Sequence, residues 1–140
     1  MIINKENESK FQFSEPRTDI CIFIVNSSSS CENIPVKLTR SIQLINDESN
    51  SRMVSLNLEA GEQGNEAFPF YLKFTESAIF KWEEDSFDDN TIKGLLEVNA
   101  PTLLLSYMRP LVYTITSQSI HGAFHIPFID LSEGVGDYAD

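Results

Sequence analysis

Basic residues are scarce. Only 10 of the 140 residues are Lys or Arg, against 21 Asp or Glu, for a formal net charge of −11. Phosphate backbones are bound by clusters of Lys and Arg, so this chain is not expected to bind nucleic acid, nor to insert in or adhere to an anionic membrane. After Arg109 there is no Lys or Arg at all. The start, MIINKENESK, has no apolar run behind its charges, so no secretory signal is expected and the cytoplasm is the expected compartment. Cysteine is nearly absent. Cys21 and Cys31 fit neither a redox pair nor a zinc knuckle, and Cys21 lies in the apolar run Ile20–Val25, where a buried, inert thiol is expected. The two histidines, His121 and His125, flank Gly122 and precede Pro127. A metal pair four residues apart needs a helix there, so neither metal nor cofactor is expected. GxSxG, HExxH, GxGxxG and GxxxxGKS are all missing. Glu83 and Glu84 sit in a polar stretch without the apolar setting that raises a carboxyl pKa, and no enzyme is expected.

What the chain does have is alternation. Ile34, Val36, Leu38, Ile42 and Leu44 alternate with polar residues, as do Val54, Leu56 and Leu58, and then Phe68, Phe70, Leu72, Phe74, Phe80 and Trp82. Strands with one apolar and one polar face form an antiparallel sheet with one side on a core. Phe11 to Asn26 is apolar on both phases between Ile20 and Val25, which predicts a strand covered on both faces there. Polar loops at Asn26–Asn33, Asn46–Ser51 and Gly61–Asn65 join four strands in a meander or Greek key. Pro69 marks an edge or a strand start. Tyr71 is out of phase with the apolar set and is expected to face a groove or interface.

The acidic run Glu83–Asn90 reads as a solvated loop, with Asp89 or Asn90 capping a short helix, and Asn99-Ala-Pro101 reads as a second cap. Thr102 to Ile120 has Arg109 as its only charge. One helical face holds Leu104, Met108, Leu111 and Ile115; the other holds Leu103, Leu105, Val112 and Tyr113. A helix apolar all round is buried all round. One sheet covers one side, so the other predicts oligomerisation, with a kink at Pro110. Gly122–Leu131 is proline-broken and predicts an extended apolar segment over the core or a groove. The chain divides into one domain, 1–132, and a flexible acidic tail, 133–140.

Four strands, then Ala100–Arg109 (APTLLLSYMR), then Gly122–Phe124 and an apolar proline-containing stretch, resemble SecB, the bacterial export chaperone. Pro101, Leu104, Tyr107, Arg109, Gly122 and Phe124 carry the resemblance. It implies an α+β fold: a four-stranded antiparallel sheet followed by a long kinked helix packed on one face. It implies a homotetramer, a dimer of dimers, that uses no cofactor, catalyses nothing and holds unfolded or extended polypeptides in apolar grooves beside the crossover segment, for protein transport. A SecB-like chaperone dedicated to one partner, such as an antitoxin, is the alternative. The client-binding residues on this reading are Leu105, Tyr113, Phe124, Ile126, Phe128 and Leu131. Leu103, Leu105, Val112, Tyr113 and Thr116 form the oligomer interface. The sequence departs from the family in lacking most of the second long helix and in a short insertion between Ser117 and Gly122. The family docks on the motor ATPase SecA through acids on the exposed sheet face. Asp19 matches one of them, but Lys73 stands where another acid is expected.

Overall fold

The computed structural model describes residues 1–27, 33–133 and 136–137. Five strands make the body of the sheet: β1 (Phe11–Phe13), β2 (Arg17–Val25), β3 (Val36–Leu44), β4 (Ser51–Ala60) and β5 (Phe70–Trp82). The alternation predicted over β3, β4 and β5 has the observed strand limits within a few residues, and Pro69 stands just before the first residue of β5. The order is β2-β5-β4-β3, all antiparallel, so the first strand returns beside the last and the topology is a Greek key rather than a meander. Asn46 and Asp47, both at positive φ, turn β3 into β4, a conformation their short polar side chains tolerate.

The first apolar segment is not one strand but two. β1 pairs with the end of β5 (Phe11 opposite Trp82) and β2 with its beginning (Val25 opposite Phe70), along the same edge. Pro16, which has no N–H, lies in the break. There the Ser14 hydroxyl accepts from the Ile79 N–H at 2.9 Å, while the Ser14 N–H donates to the Ile79 carbonyl at 2.8 Å. The segment is not covered on both faces either. Among the described residues β2 has a neighbour on one side only, and Ile22, Ile24 and Val25 are exposed. Cys21, expected to be buried, is exposed for the same reason. Cys31 lies outside the described residues.

After β5 the acidic loop leads into α1 (Asp89–Gly94), a π turn (Leu95–Asn99) and α2 (Ala100–Thr116). The cap of α1 is Asp88, one residue before those expected, accepting from the Thr91 N–H at 2.7 Å. Asn99 is not a second cap: it is helical and makes no side-chain cap bond. Pro101 has no N–H to offer the Glu97 carbonyl four residues back, and its ring crowds that carbonyl. The helix widens there instead of ending, and the Arg40 guanidinium reaches the Glu97 carbonyl at 3.4 Å.

α2 packs across β4 and β5. Leu104, Leu105, Met108, Val112 and Thr116 are buried against Val54, Leu56, Leu58, Leu72, Phe74 and Phe80. Each such aliphatic side chain contributes about 1.5–3 kcal/mol of apolar burial. The buried face is rotated from the one expected: Leu111 is exposed, while Leu105 and Val112 are core. Both sides of the helix are apolar, so periodicity alone does not choose between them. Pro110 lies inside α2 without ending it, and exposed Ser106, whose carbonyl it leaves without an N–H, faces solvent. Among the described residues no helix is long and apolar enough to cross a membrane.

Candidate functional site

α2 ends at Thr116, and the chain turns back through Gly122, at φ +77°, where glycine carries no steric penalty. Residues 123–130 then run without regular structure as a strap over the helix and the core. Two side chains of α2 hold it. The Thr116 hydroxyl accepts the Phe124 N–H at 2.7 Å while donating to the Val112 carbonyl at 2.8 Å. The Arg109 guanidinium spreads its two Nη atoms over consecutive carbonyls, those of Ile126 and Pro127, the latter at 2.8 Å. A planar fork with several donors suits this task, because a carbonyl pair beside a proline has few backbone donors in reach. The His121 ring nitrogen adds a 2.7 Å bond to the Asn26 carbonyl, at the end of β2.

The strap sorts its side chains. Ile126 and Leu131 are buried in the core, Phe124 and Ile129 pack partly on it, and the Phe124 ring meets Phe70 with centroids 5.5 Å apart. His125 lies edge-on to Tyr113 at 4.8 Å. Phe128 is 96 % exposed. The outward side of α2 is also apolar: Tyr107, Leu111 and Tyr113 are 42 %, 41 % and 44 % exposed, and Phe13 of β1 touches Tyr107 edge to face.

This placement divides the expected site residues. Leu105, Ile126 and Leu131, expected to bind a client, are buried in the chain's own core and offer no surface; Tyr113 and Phe128 are open and Phe124 is half-buried. Of the expected interface residues, Leu105, Val112 and Thr116 are likewise core, because the buried helix face is the rotated one. Leu103 is half-buried and Tyr113 exposed. Tyr71 does not line an open groove: it is buried on the sheet's outer face, donating to Glu59 at 2.7 Å. Desolvation, with the Glu59 bond and charge added, pushes its hydroxyl up to about 12. Of the holding residues, Arg109 is visible in the sequence only as the lone charge of the segment, and Thr116, expected at the oligomer interface, is one hydroxyl among several.

The outer face of the sheet is a network of small polar side chains. Ser55 bonds Ser77 at 2.7 Å, Thr75 donates to Asn57 at 2.7 Å, and Ser77 donates to Asp19. Asp19 sits at a register break in β2 and is also paired with Arg17 at 3.0 Å. Lys73 lies opposite Ile22 and Glu59 on that face. At one end of the sheet a cavity of about 340 Å³ is lined by Asn50, Arg52, Trp82, Glu84, Phe87 and Asp89. Arg52 stands over the Trp82 ring at 5.7 Å and donates to the Ser51, Glu48 and Ser49 carbonyls. Asp130 is lowered by bonds from the Ser132 hydroxyl and N–H, and Asp88 by the Thr91 N–H. Among the described residues no three His, Cys, Asp or Glu side chains come together as metal ligands.

The fold of this chain is similar to that of the Mycobacterium tuberculosis Rv1957 SecB-like chaperone, solved in complex with a ChAD peptide from the Rv1956 HigA1 antitoxin. The TM-score is 0.67 over 85 % of this chain and 87 % of that one, at 13 % identity. The fold is SecB-like. A protein of unknown function from Streptococcus agalactiae also aligns, over 84 % of this chain and 97 % of its own, with a TM-score of 0.46 at 10 % identity. No model of a protein family matches the sequence, and no curated protein matches it.

Proposed function

We propose that this protein is a non-enzymatic chaperone that holds extended or unfolded polypeptides, working in the cytoplasm as a homo-oligomer. One observation carries the reading: the strap is pinned to α2 by Arg109 and Thr116 with Phe128 almost wholly exposed, beside a helix face that exposes Tyr107, Leu111 and Tyr113. Apolar side chains held in solvent on a fixed backbone are a binding surface, since each gives back burial energy when a client covers it. Tyr113, Phe124 and Phe128 are the client contacts in this reading, and Leu103, Tyr107 and Leu111 the contacts between copies. The net charge of −11 favours basic clients.

Between the two forms of this function, a dedicated partner chaperone is favoured over an export chaperone. The outer sheet face carries Lys73 in place of an acid, and the Asp19 carboxylate is already engaged by Arg17 and Ser77. Rv1957 was solved with an antitoxin peptide, and an analogous single client suits this chain. Suppression of the aggregation of an unrelated unfolded protein at stoichiometric amounts tests the holdase activity. Suppression by the native chain and its loss in Phe128→Ser is the expected result; no suppression by a folded chain, together with no client recovered on pull-down from its host, defeats both forms.

A further inference from the structure

Pro110 opens the backbone of α2 on its outward side. At about 100° per residue, Ser106 and Pro110 stand opposite the stripe of Leu104, Leu105, Met108, Val112 and Thr116 that packs on the sheet. Both are exposed, with Leu103 and Tyr107 beside them. Pro110 has no N–H for the Ser106 carbonyl, and among the described residues no side chain donates to that oxygen in its place. The carbonyl is therefore an acceptor held by a rigid helix among apolar side chains. Three hydroxyls on this side are engaged within the helix: Thr102, Ser106 and Ser117 donate to the Val98, Leu103 and Thr114 carbonyls. The Tyr107 hydroxyl is not. Its ring lies edge to face on Phe13, and among the described residues its O–H has no partner. One face thus carries an acceptor without its donor and, one residue on, a donor without an acceptor.

We propose that this face is a self-complementary contact between two copies of the chain, in which the Tyr107 hydroxyl of each donates to the Ser106 carbonyl of the other. The proposal rests on the reading above that copies meet through α2, and adds the polar pair that fixes how they meet. A contact about a two-fold axis sets residue i against j and j against i. A crossing centred near Ser106 therefore makes both bonds at once, from a patch that contains both halves of the pair. The Thr114 hydroxyl, also without a partner, sits on a short side chain about two turns beyond Ser106, outside such a crossing. Covering the patch with apolar groups alone buries the Ser106 carbonyl unpaired, which is a penalty rather than a neutral loss. The same penalty rejects any crossing that sets the carbonyl against Leu103 or Leu111 of the other copy, so Pro110 selects the register of the contact.

Sedimentation equilibrium of the full chain compares the native protein with Tyr107→Phe, Pro110→Ala and the double variant. Tyr107→Phe keeps the ring on Phe13 and removes only the donor. Pro110→Ala supplies the missing N–H to the Ser106 carbonyl and is expected to raise the melting temperature, so neither change puts folding at risk. Association roughly tenfold or more weaker in Tyr107→Phe is expected, because two bonds are lost across the axis, against less than about a twofold difference between Pro110→Ala and the double variant. Unchanged association in Tyr107→Phe overturns the proposal. An equal loss in both backgrounds overturns it too, because the phenol is then bonded to something other than that carbonyl. Weaker binding of reduced, alkylated ribonuclease A by Tyr107→Phe, with association unchanged, overturns it in favour of a client on this face. A native chain that stays monomeric at every concentration defeats the reading that copies meet through α2, and the polar pair with it. Association abolished by Leu111→Glu but indifferent to Tyr107→Phe keeps that reading and removes only the pair.

Discussion

Glu76 stands on the helix-facing side of β5, opposite Leu56 on one side and Thr18 on the other. It is 2 % exposed, and its one hydrogen bond comes from the Thr18 hydroxyl at 2.7 Å. Desolvation raises its pKa, the Thr18 bond opposes this, and the charge of Asp19 adds to the rise. A carboxyl whose folded pKa is raised binds its proton more tightly in the folded state. Its favourable contribution is complete below the unfolded pKa and is lost as pH climbs through the folded one. Glu76→Gln keeps an acceptor for Thr18 and never ionises. Its melting temperature is expected to exceed that of the native chain by a few degrees at pH 7 and to match it near pH 4, as thermal melts across that range will show. Tyr71 has the same sign at the other end of the scale. With its hydroxyl pushed up to about 12, the folded state holds that proton more tightly than the unfolded chain, and stability falls as pH rises from 10 toward 12. Tyr71→Phe removes the bond to half-buried Glu59, costs about 1 kcal/mol at pH 7 in denaturant titrations, and abolishes the alkaline loss.

Elements with one apolar face were legible, because burial on one side leaves a period in the residues: β3, β4 and β5 follow their alternation, and Pro69 marks the start of β5. Features set by what lies across space were not. β2 looks doubly covered because Ile20–Val25 is apolar on both phases, yet it is a sheet edge, and nothing local to those residues states their place in the strand order. On α2 two apolar stripes compete. The sheet takes the face between them, with Leu104 and Met108 from one stripe and Leu105 and Val112 from the other, which removes Leu105, Val112 and Thr116, three of the five expected interface residues, from the surface. Asn99-Ala-Pro101 has the composition of a cap, but the carbonyl that Pro101 leaves without an N–H is met by Arg40, 57 positions away in sequence, so the helix continues through a π turn. Arg40→Met is therefore expected to destabilise by about 1–3 kcal/mol, with faster amide exchange at residues 95–101 as the local signature. The extended segment expected over the core or a groove lies over the core, with Ile126 and Leu131 buried in it, but its fastening leaves no pattern in the sequence. Thr116→Val keeps the buried shape and removes the acceptor for Phe124, an exchange expected to cost about 1–3 kcal/mol and to loosen residues 122–127 without unfolding α2.

At the scale of the molecule two tendencies oppose each other. The outward side of α2 offers Tyr107 and Leu111, and the strap offers Phe128, so copies of the chain gain by covering them. Each copy also carries −11, and the half from 71 to 140, which supplies those side chains, holds 11 acids against 4 bases. Like charges resist self-association, and salt screens them: the Debye length falls from about 30 Å at 0.01 M to about 8 Å at 0.15 M. Self-association through the α2 face should therefore strengthen with salt over that range, read as rising mass by light scattering. Binding of a basic client, drawn by the same charge, should weaken over it. Leu111→Glu separates the two effects. It adds an acid at a position 41 % exposed, outside the packed stripe, so the chain folds with an unchanged helical signal while its mass drops to that of the monomer at every salt concentration. A variant that keeps the native mass places the contact between copies elsewhere, and the open β2 edge, with Ile22 and Ile24 beside it, is then the next surface to substitute.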